Sequence, residues 1–310
     1  MGQLADGLAA GALLVGKVVI VTGAGRGLGR GEAIELAAHG ASVVVNELDA
    51  LAGAGVVDEI RVAGGTAIAN RADVSDPDAA QALVEMALAE FGALDALVNN
   101  AGILRDRTLV NMSPAEWDSV IAVHLRGHYG MTRAACAYWK DAGRPGHIVC
   151  TASTSGLLGN FGQANYGAAK AGIAAFSTIV AMEMARYRVT CNAIAPAART
   201  RMTEGAYGDI PAEDAADSFD FWHPDNVAPL VAFLCSDASS HISGKVFGVQ
   251  GDAVELYRPF TSVAAIENAQ ARWTAAGLAD RVGELFEESG IVPGPENMMA
   301  KLRYSMTRRG

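Results

Sequence analysis

The sequence is short of positive charge, of paired cysteines and of long apolar runs. Its 310 residues carry 24 Lys and Arg against 34 Asp and Glu, a formal net charge of −10. An acidic surface repels phosphodiester backbones and anionic headgroups alike, which argues against nucleic acid or a membrane as the main partner. Cys136, Cys150, Cys191 and Cys235 form no Cys-x-x-Cys pair, and two of them sit in apolar, strand-like runs. Free, buried thiols in a reducing compartment are expected. No His or Cys pair shows ligand spacing, so no metal site is expected. No apolar run approaches the roughly 20 residues of a membrane span, and residues 1–15 lack a basic leader although Leu8 to Val15 is apolar. A soluble, cytoplasmic protein is expected, and no repeat or low-complexity tract is visible. The 51% hydrophobic composition is enough for one large core, with or without an appendage.

Short apolar runs recur with helix-length segments between them. They are Val18 to Val21, Ser42 to Val45, Thr66 to Ala69, Ala96 to Val98, His147 to Cys150, Val189 to Ile194 and Val246 to Val249. Near-continuous apolarity without alternation suits strands covered on both faces. The spacing predicts a Rossmann-like, doubly wound α/β fold: a parallel sheet of seven strands with helices on both faces. Helices are predicted near Gly27 to His39, Ala50 to Ala63, Pro77 to Phe91, Pro114 to Lys140, Asn165 to Arg186 and Asp225 to Ser236. Ser113-Pro114-Ala115-Glu116 gives the fourth a strong start, a capping residue followed by proline and then glutamate. Residues 1–251 are assigned to this domain. Residues 252–310 are assigned to a helical extension packing on the core or on a subunit interface, with Leu278, Val282, Leu285 and Phe286 at helical spacing and Met298, Met299 and Leu302 after a Pro-Gly-Pro turn. Thr200 to Pro224 has the length of a lid, or of a surface loop.

The first strand runs into Thr22-Gly-Ala-Gly-Arg-Gly-Leu-Gly29 and then a helix. Glycines at that junction let the backbone approach a pyrophosphate, favoured by the amides and dipole of the helix N-terminus. The second strand ends at Asn46-Glu47, placing a carboxylate where an adenosine ribose presents its hydroxyls. Glu47 argues for NAD, since it would repel a 2′-phosphate. Arg26 argues the other way, as an arginine able to pair with one; the carboxylate weighs more heavily. Asp73 follows the third strand and could accept from the adenine amino group. Asn99-Asn100-Ala101-Gly102 ends the fourth, beside the nicotinamide half, although both segments also suit ordinary turns.

Tyr166-Gly-Ala-Ala-Lys170 follows Ser153 by thirteen residues. Four apart on a helix, Tyr166 and Lys170 share a face. An ammonium beside a phenol favours the phenolate, which can take the hydroxyl proton as a hydride leaves a carbinol carbon. Ser153 would hold the substrate oxygen.

Together these residues resemble the short-chain dehydrogenase/reductase family over roughly Val15 to Gly251. Thr22 to Gly29 matches its glycine motif, Asn99 to Gly102 its N-N-A-G, Ser153, Tyr166 and Lys170 its catalytic set, and Asn192 to Pro196 its N-x-x-x-P strand. Ala197 stands where the family usually has glycine. The resemblance implies cofactor contacts at Gly23, Arg26, Gly27, Leu28, Gly29, Glu47, Asp73, Val74, Asn100, Ala101, Gly102, Tyr166, Lys170, Pro196 and Thr200.

Asn100 to Arg107, Val123 to Gly127, Gly159 to Tyr166 and Arg201 to Thr203 are similar to one branch. It comprises the dehydrogenase unit of the peroxisomal multifunctional enzyme and its bacterial relatives in steroid side-chain degradation, of 17β-hydroxysteroid dehydrogenase type. That branch implies NAD-dependent oxidation of a 3-hydroxyacyl-CoA, of a steroid-CoA hydroxylated in its side chain, or of a steroid 17β-hydroxyl. His124 stands where the wider family has an asparagine thought to serve a proton relay, and is taken as a catalytic candidate or a core histidine. Arg105, Arg107, Arg201, Lys301, Arg303, Arg308 and Arg309 are candidate CoA contacts or solvated charges. The family implies a homodimer or homotetramer. The nearest alternatives are an NADPH-dependent 3-oxoacyl carrier-protein reductase and a non-catalytic dinucleotide-binding sensor.

Overall fold

Strand β1 (Val18–Thr22) is buried at all five positions, and alternate side chains serve different cores. Val19 and Val21 join Leu36, Val56, Ile60 and Val231 on one face, while Val18 and Ile20 join Leu83, Met131, Ile173 and Val180 on the other. A strand covered on both faces has no use for a polar alternate, which explains its uniform composition. A computed structural model describes residues 13–202, 219–258 and 260–301 of the protein.

Strands β2 (Ser42–Asn46), β3 (Thr66–Asn70), β4 (Ala96–Asn99), β5 (Gly146–Thr151), β6 (Val189–Pro196), β7 (Val246–Gln250) and β8 (Ala253–Tyr257) complete a sheet ordered β3-β2-β1-β4-β5-β6-β7-β8. The seven expected strands are parallel throughout. The eighth was not expected. Gly251 and Asp252 turn the chain so that β8 pairs antiparallel with β7, Val246 opposite Tyr257. Its residues alternate half-buried and exposed, as on an edge covered on one face. The sheet therefore draws a strand from the segment expected to be helical, because a tight turn can return the chain directly onto β7.

Helices α1 (Gly27–Ala38) and α2 (Ala50–Val62) cover the first face. Helices α3 (Pro77–Phe91), α4 (Pro114–Ile121), α5 (Gly127–Ala142), α6 (Thr154–Leu158) and α7 (Ala164–Met184) follow along the chain. Helix α8 (Ala228–Leu234) returns to the first face, and α9 (Ala275–Arg281) and α10 (Gly283–Ser289) lie in the tail. The capping box at Ser113 forms as expected, with Glu116 N donating to Ser113 Oγ and Ser113 N to Glu116 Oε2. The predicted helix from Pro114 is interrupted by a π-helical turn at Ala122–Arg126.

In the tail, Val282 separates two short helices, and a 3-10 turn at Met298–Lys301 meets α6. Leu302, Arg303, Arg308 and Arg309 lie outside the described residues, as does most of the expected lid, residues 203–218. At that segment's far edge Phe221 and Trp222 pack inward and Phe219 is exposed. All four cysteines are free, Cys136 half-buried and the others buried. Helix α7 and the 3-10 turn that follows it span Ala164–Tyr187 and contain an 18-residue window of mean hydropathy 1.3, long and apolar enough by composition to cross a membrane. Here the helix packs on β5 and β6.

Glu32 of α1 is wholly buried, and neither carboxylate oxygen has a hydrogen-bond partner. Burial lifts its carboxyl to about 8, with the positive charge of Lys170 partly opposing. A carboxyl raised on folding leaves stability intact below its unfolded value and removes it as pH climbs through the folded value. The full loss is at most about 5 kcal/mol. Glu32→Gln is expected to match the parent at pH 4 and to exceed it by a few kcal/mol at pH 9, read from urea midpoints across that range.

Candidate active site

The order of β3-β2-β1-β4 reverses direction between β1 and β4, and a crevice opens at their carboxyl ends. A cleft of about 520 Å³ lies there. It is lined by Gly23, Arg26, Gly27, Leu28, Gly29, Glu47, Asp73, Val74, Asn100, Ala101, Gly102 and Thr200, all expected from sequence, and also by Ile103, Val123, Arg201 and Met202. Helix α1 points its N-terminus into this cleft. Its N-cap, Arg26, is extended and makes no side-chain cap, so the amides of the first turn are left for an anion. A Cβ on Gly29 would collide with the Gly23 carbonyl oxygen and Asn100 Nδ2. The turn and helix close on each other only with glycine there, and the cradle fits a pyrophosphate.

Asn100 holds the cradle. Its Nδ2 donates to the carbonyls of Thr22 and Gly23 at 3.0 and 3.1 Å, and Thr22 Oγ1 accepts from the amides of Asn100 and Ala101. Asn99 points into the core and donates to Thr132 Oγ1. Glu47 is tied at both oxygens: Oε2 accepts from Gly25 N and Oε1 from Asp49 N, each at 3.1 Å. Spare lone pairs remain to accept from ribose hydroxyls. Asp73 Oδ1 accepts from Ser75 N, the ordinary turn bond. Pro196 ends β6, and Ala197 N donates to Val249 O. Ala197 does not adopt positive φ, so the turn has no need of the glycine the family usually carries.

Ser153 leaves β5 as the N-cap of α6, and its Oγ accepts from Ser155 N at 3.2 Å. Its hydroxyl proton is left to donate toward a substrate oxygen. Lys170 is almost fully buried and donates to the carbonyl of Thr151. Burial lowers its ammonium to about 7, with Cys150 and Glu32 opposing. Its Nζ lies 5.5 Å from the centre of the Tyr166 ring. Across that ring, His124 makes an edge-to-face contact at 5.2 Å. The π turn delivers His124 here, and such turns recur at functional sites.

His124 is fully buried, and its Nε2 lies 2.8 Å from Ile103 O and 3.0 Å from Ile103 N. Nδ1 has no partner. Burial drives the imidazole to about 3, so it is neutral at physiological pH. Any Cβ on Gly102 would strike this ring, which accounts for the last glycine of N-N-A-G. The structure thus brings Tyr166, Lys170 and His124 together beside the Val123 end of the cleft.

Two residues escaped sequence reasoning. Asp49 forms an ion pair with Arg26 while capping α2. Its position at a helix start, two residues after Glu47, was the available signal. Glu32 left no signal, since nothing marks a helical glutamate as buried. Of the CoA candidates, Arg107 pairs with Glu116 at the surface, Lys301 with Glu296, and Arg201 lines the cleft.

Crevice, glycine cradle and buried lysine define a dinucleotide-dependent oxidoreductase. The family model for short chain dehydrogenase matches residues 17–209, and the chain belongs to that family. It is an oxidoreductase acting on hydroxyl groups and binds a nicotinamide dinucleotide. It is 48% identical over 258 residues to the hydroxyacyl-CoA dehydrogenase ChsB1 of Mycobacterium tuberculosis, covering 79% of this chain and 81% of that protein. It is 42% identical over 299 residues to the peroxisomal multifunctional enzyme type 2 of Drosophila melanogaster, covering 89% of this chain and 48% of that longer one. A crystal structure of a short chain dehydrogenase from Mycobacterium avium superposes with a TM-score of 0.83 at 45% identity, covering 92% of this chain and 99% of that one.

Proposed function

We propose that the protein oxidises the secondary alcohol of a 3-hydroxyacyl-CoA, fatty or steroid side-chain, to the ketone with NAD⁺. The reading of the cofactor is carried by Glu47, held at both oxygens at the end of β2 where a 2′-phosphate would meet its charge. The acyl-CoA class is supported by the activity for which ChsB1 is named.

Bound at the cradle, the dinucleotide supplies the hydride acceptor. Gly23, Gly27 and Gly29 with the α1 amides hold its pyrophosphate, Glu47 its adenosine ribose, and Lys170 with Tyr166 its nicotinamide ribose. Ser153 donates its hydroxyl proton to the substrate oxygen and orients the carbinol. Tyr166, held as the phenolate by the Lys170 ammonium, takes the alcohol proton on Oη and becomes the neutral phenol. His124 is a positioning residue: it packs on the Tyr166 ring and ties the chain at Ile103, which lines the cleft. Exposed Ile179 and Met182 on α7 and Tyr129 on α5 support pairing of these helices between subunits, as dimer or tetramer.

The test is initial-rate reduction of NAD⁺, with NADP⁺ in parallel, on medium-chain 3-hydroxyacyl-CoA, steroid side-chain hydroxyacyl-CoA and free 17β-hydroxysteroid. NAD⁺-dependent turnover of a CoA ester is the expected result. Turnover only with NADP⁺ moves the protein to the reductase reading, and turnover of the free steroid alone removes the CoA class.

A further inference from the structure

Two features of the adenosine end of the cleft pull in opposite directions. Glu47 repels a 2′-phosphate, while Arg26, lining the same cleft, offers the guanidinium such a group would seek. Among the described residues that line the cleft, the cations are Arg26 and Arg201. Arg201 adjoins Thr200, which faces Gly27. Of the two, Arg26 lies within electrostatic reach of Asp49 and of Glu47, the carboxylate at the ribose end.

Asp49 settles the matter by position. One of its oxygens, Oδ1, accepts from the amides of Leu51 and Ala52 at 3.1 and 3.3 Å, capping α2. The other, Oδ2, takes Arg26 Nη2. The Asp49 amide donates to Glu47 Oε1, so carboxylate, cap and guanidinium form one connected group. Around Arg26 there are thus two fixed carboxylates and one cation, a net charge of −1 facing a substituent that carries nearly two negative charges.

We infer that Asp49 is a specificity determinant of the cofactor site, holding Arg26 away from a 2′-phosphate and so setting the preference for NAD together with Glu47. The inference rests on the proposed NAD dependence and assigns part of it to a residue that need not touch the cofactor. The pair is partly open to water, with side chains 44% and 41% exposed, so it contributes little to folding stability. Its effect is on the charge and the free donors that a ligand meets.

Asparagine is as good a helix cap as aspartate, so Asp49→Asn removes the charge and keeps the start of α2. Calorimetric titration with NAD⁺, NADP⁺ and adenosine 2′,5′-bisphosphate is the measurement. It covers the parent, Asp49→Asn, Arg26→Ala and the double variant, with melting curves to confirm that each is folded. Asp49→Asn is expected to tighten NADP⁺ and the bisphosphate by about 10-fold and to change NAD⁺ by less than about 3-fold. In the double variant the gain should vanish, because Arg26 is the group released.

No tightening in folded Asp49→Asn overturns the inference. So does a gain that persists without Arg26, which would reduce Asp49 to a distant negative charge. A parent that binds NADP⁺ more tightly than NAD⁺ overturns the NAD reading itself. A parent that prefers NAD⁺ while residues 26 and 49 act independently overturns only the present inference.

Discussion

Tyr166→Phe is expected to lower kcat by about 10³-fold or more while leaving the affinity for the dinucleotide within a few-fold of the parent. The substitution removes one oxygen and keeps the ring, which retains its edge-to-face packing on His124 and its place beside Lys170. The hydroxyl proton of a carbinol must leave as the hydride does, and a positioned base contributes about 10²- to 10⁴-fold to such a step. A loss of 10³ corresponds to about 4 kcal/mol of barrier. Single-turnover rates and cofactor titration on the same preparation separate chemistry from binding. A variant that keeps the parental rate would place the proton acceptor elsewhere. A variant that loses cofactor binding in step with rate would make Tyr166 a binding residue only.

Lys170→Met is expected to inactivate the enzyme and stabilise its fold at the same time. The lysine is wholly enclosed, and burial brings its ammonium from the usual lysine range down to about 7. A lysine depressed on folding binds fewer protons in the folded state than in the unfolded one. Stability is therefore undiminished above the unfolded value near 10.4, falls as pH drops below it, and reaches its full loss below about 7. That loss is at most about 5 kcal/mol.

Methionine fills nearly the same volume without a charge but gives up the bond to the Thr151 carbonyl. A net gain of about 2 to 4 kcal/mol at pH 6 is expected, shrinking as the pH approaches 10. Turnover should fall by about 10³-fold, because the phenolate of Tyr166 loses the cation beside its ring. Urea titrations at pH 6 and pH 10 beside kcat provide the check. A variant destabilised at both pH values would show that the lysine stabilises the fold despite its burial.

Both outcomes depend on features of different legibility. The βαβ rhythm could be read because parallel strands buried on two faces are locally apolar, and because Ser113 to Glu116 carry their own capping chemistry. The glycine turn, Glu47, Ser153, Tyr166 and Lys170 could be read because each sits at the end of such a strand or on the helix after it. Strand β8 was not legible: an edge strand alternates weakly, and its partner β7 is what makes it a strand. The π turn was hidden as well, since residues 114 to 142 have the composition of one helix. It is packing of Gly127 on Val74 and of Leu125 on Gly172 that accompanies the irregular turn and presents His124 to Tyr166.

What the sequence determined by itself was the class of fold, the glycine turn and the placing of Ser153, Tyr166 and Lys170 on neighbouring elements, because near neighbours along the chain specify strands, turns and helix faces. What only the tertiary structure decided was the state of individual charges. Arg26 reads as a phosphate ligand until Asp49 is seen to hold it, and Glu32 reads as a surface residue until α1 is seen to bury it without a partner. Lys170 reads as an ordinary ammonium until its enclosure is known. A side chain's type follows from the sequence, but its solvation and its partner are set by residues that only folding brings together, and those two quantities govern its charge.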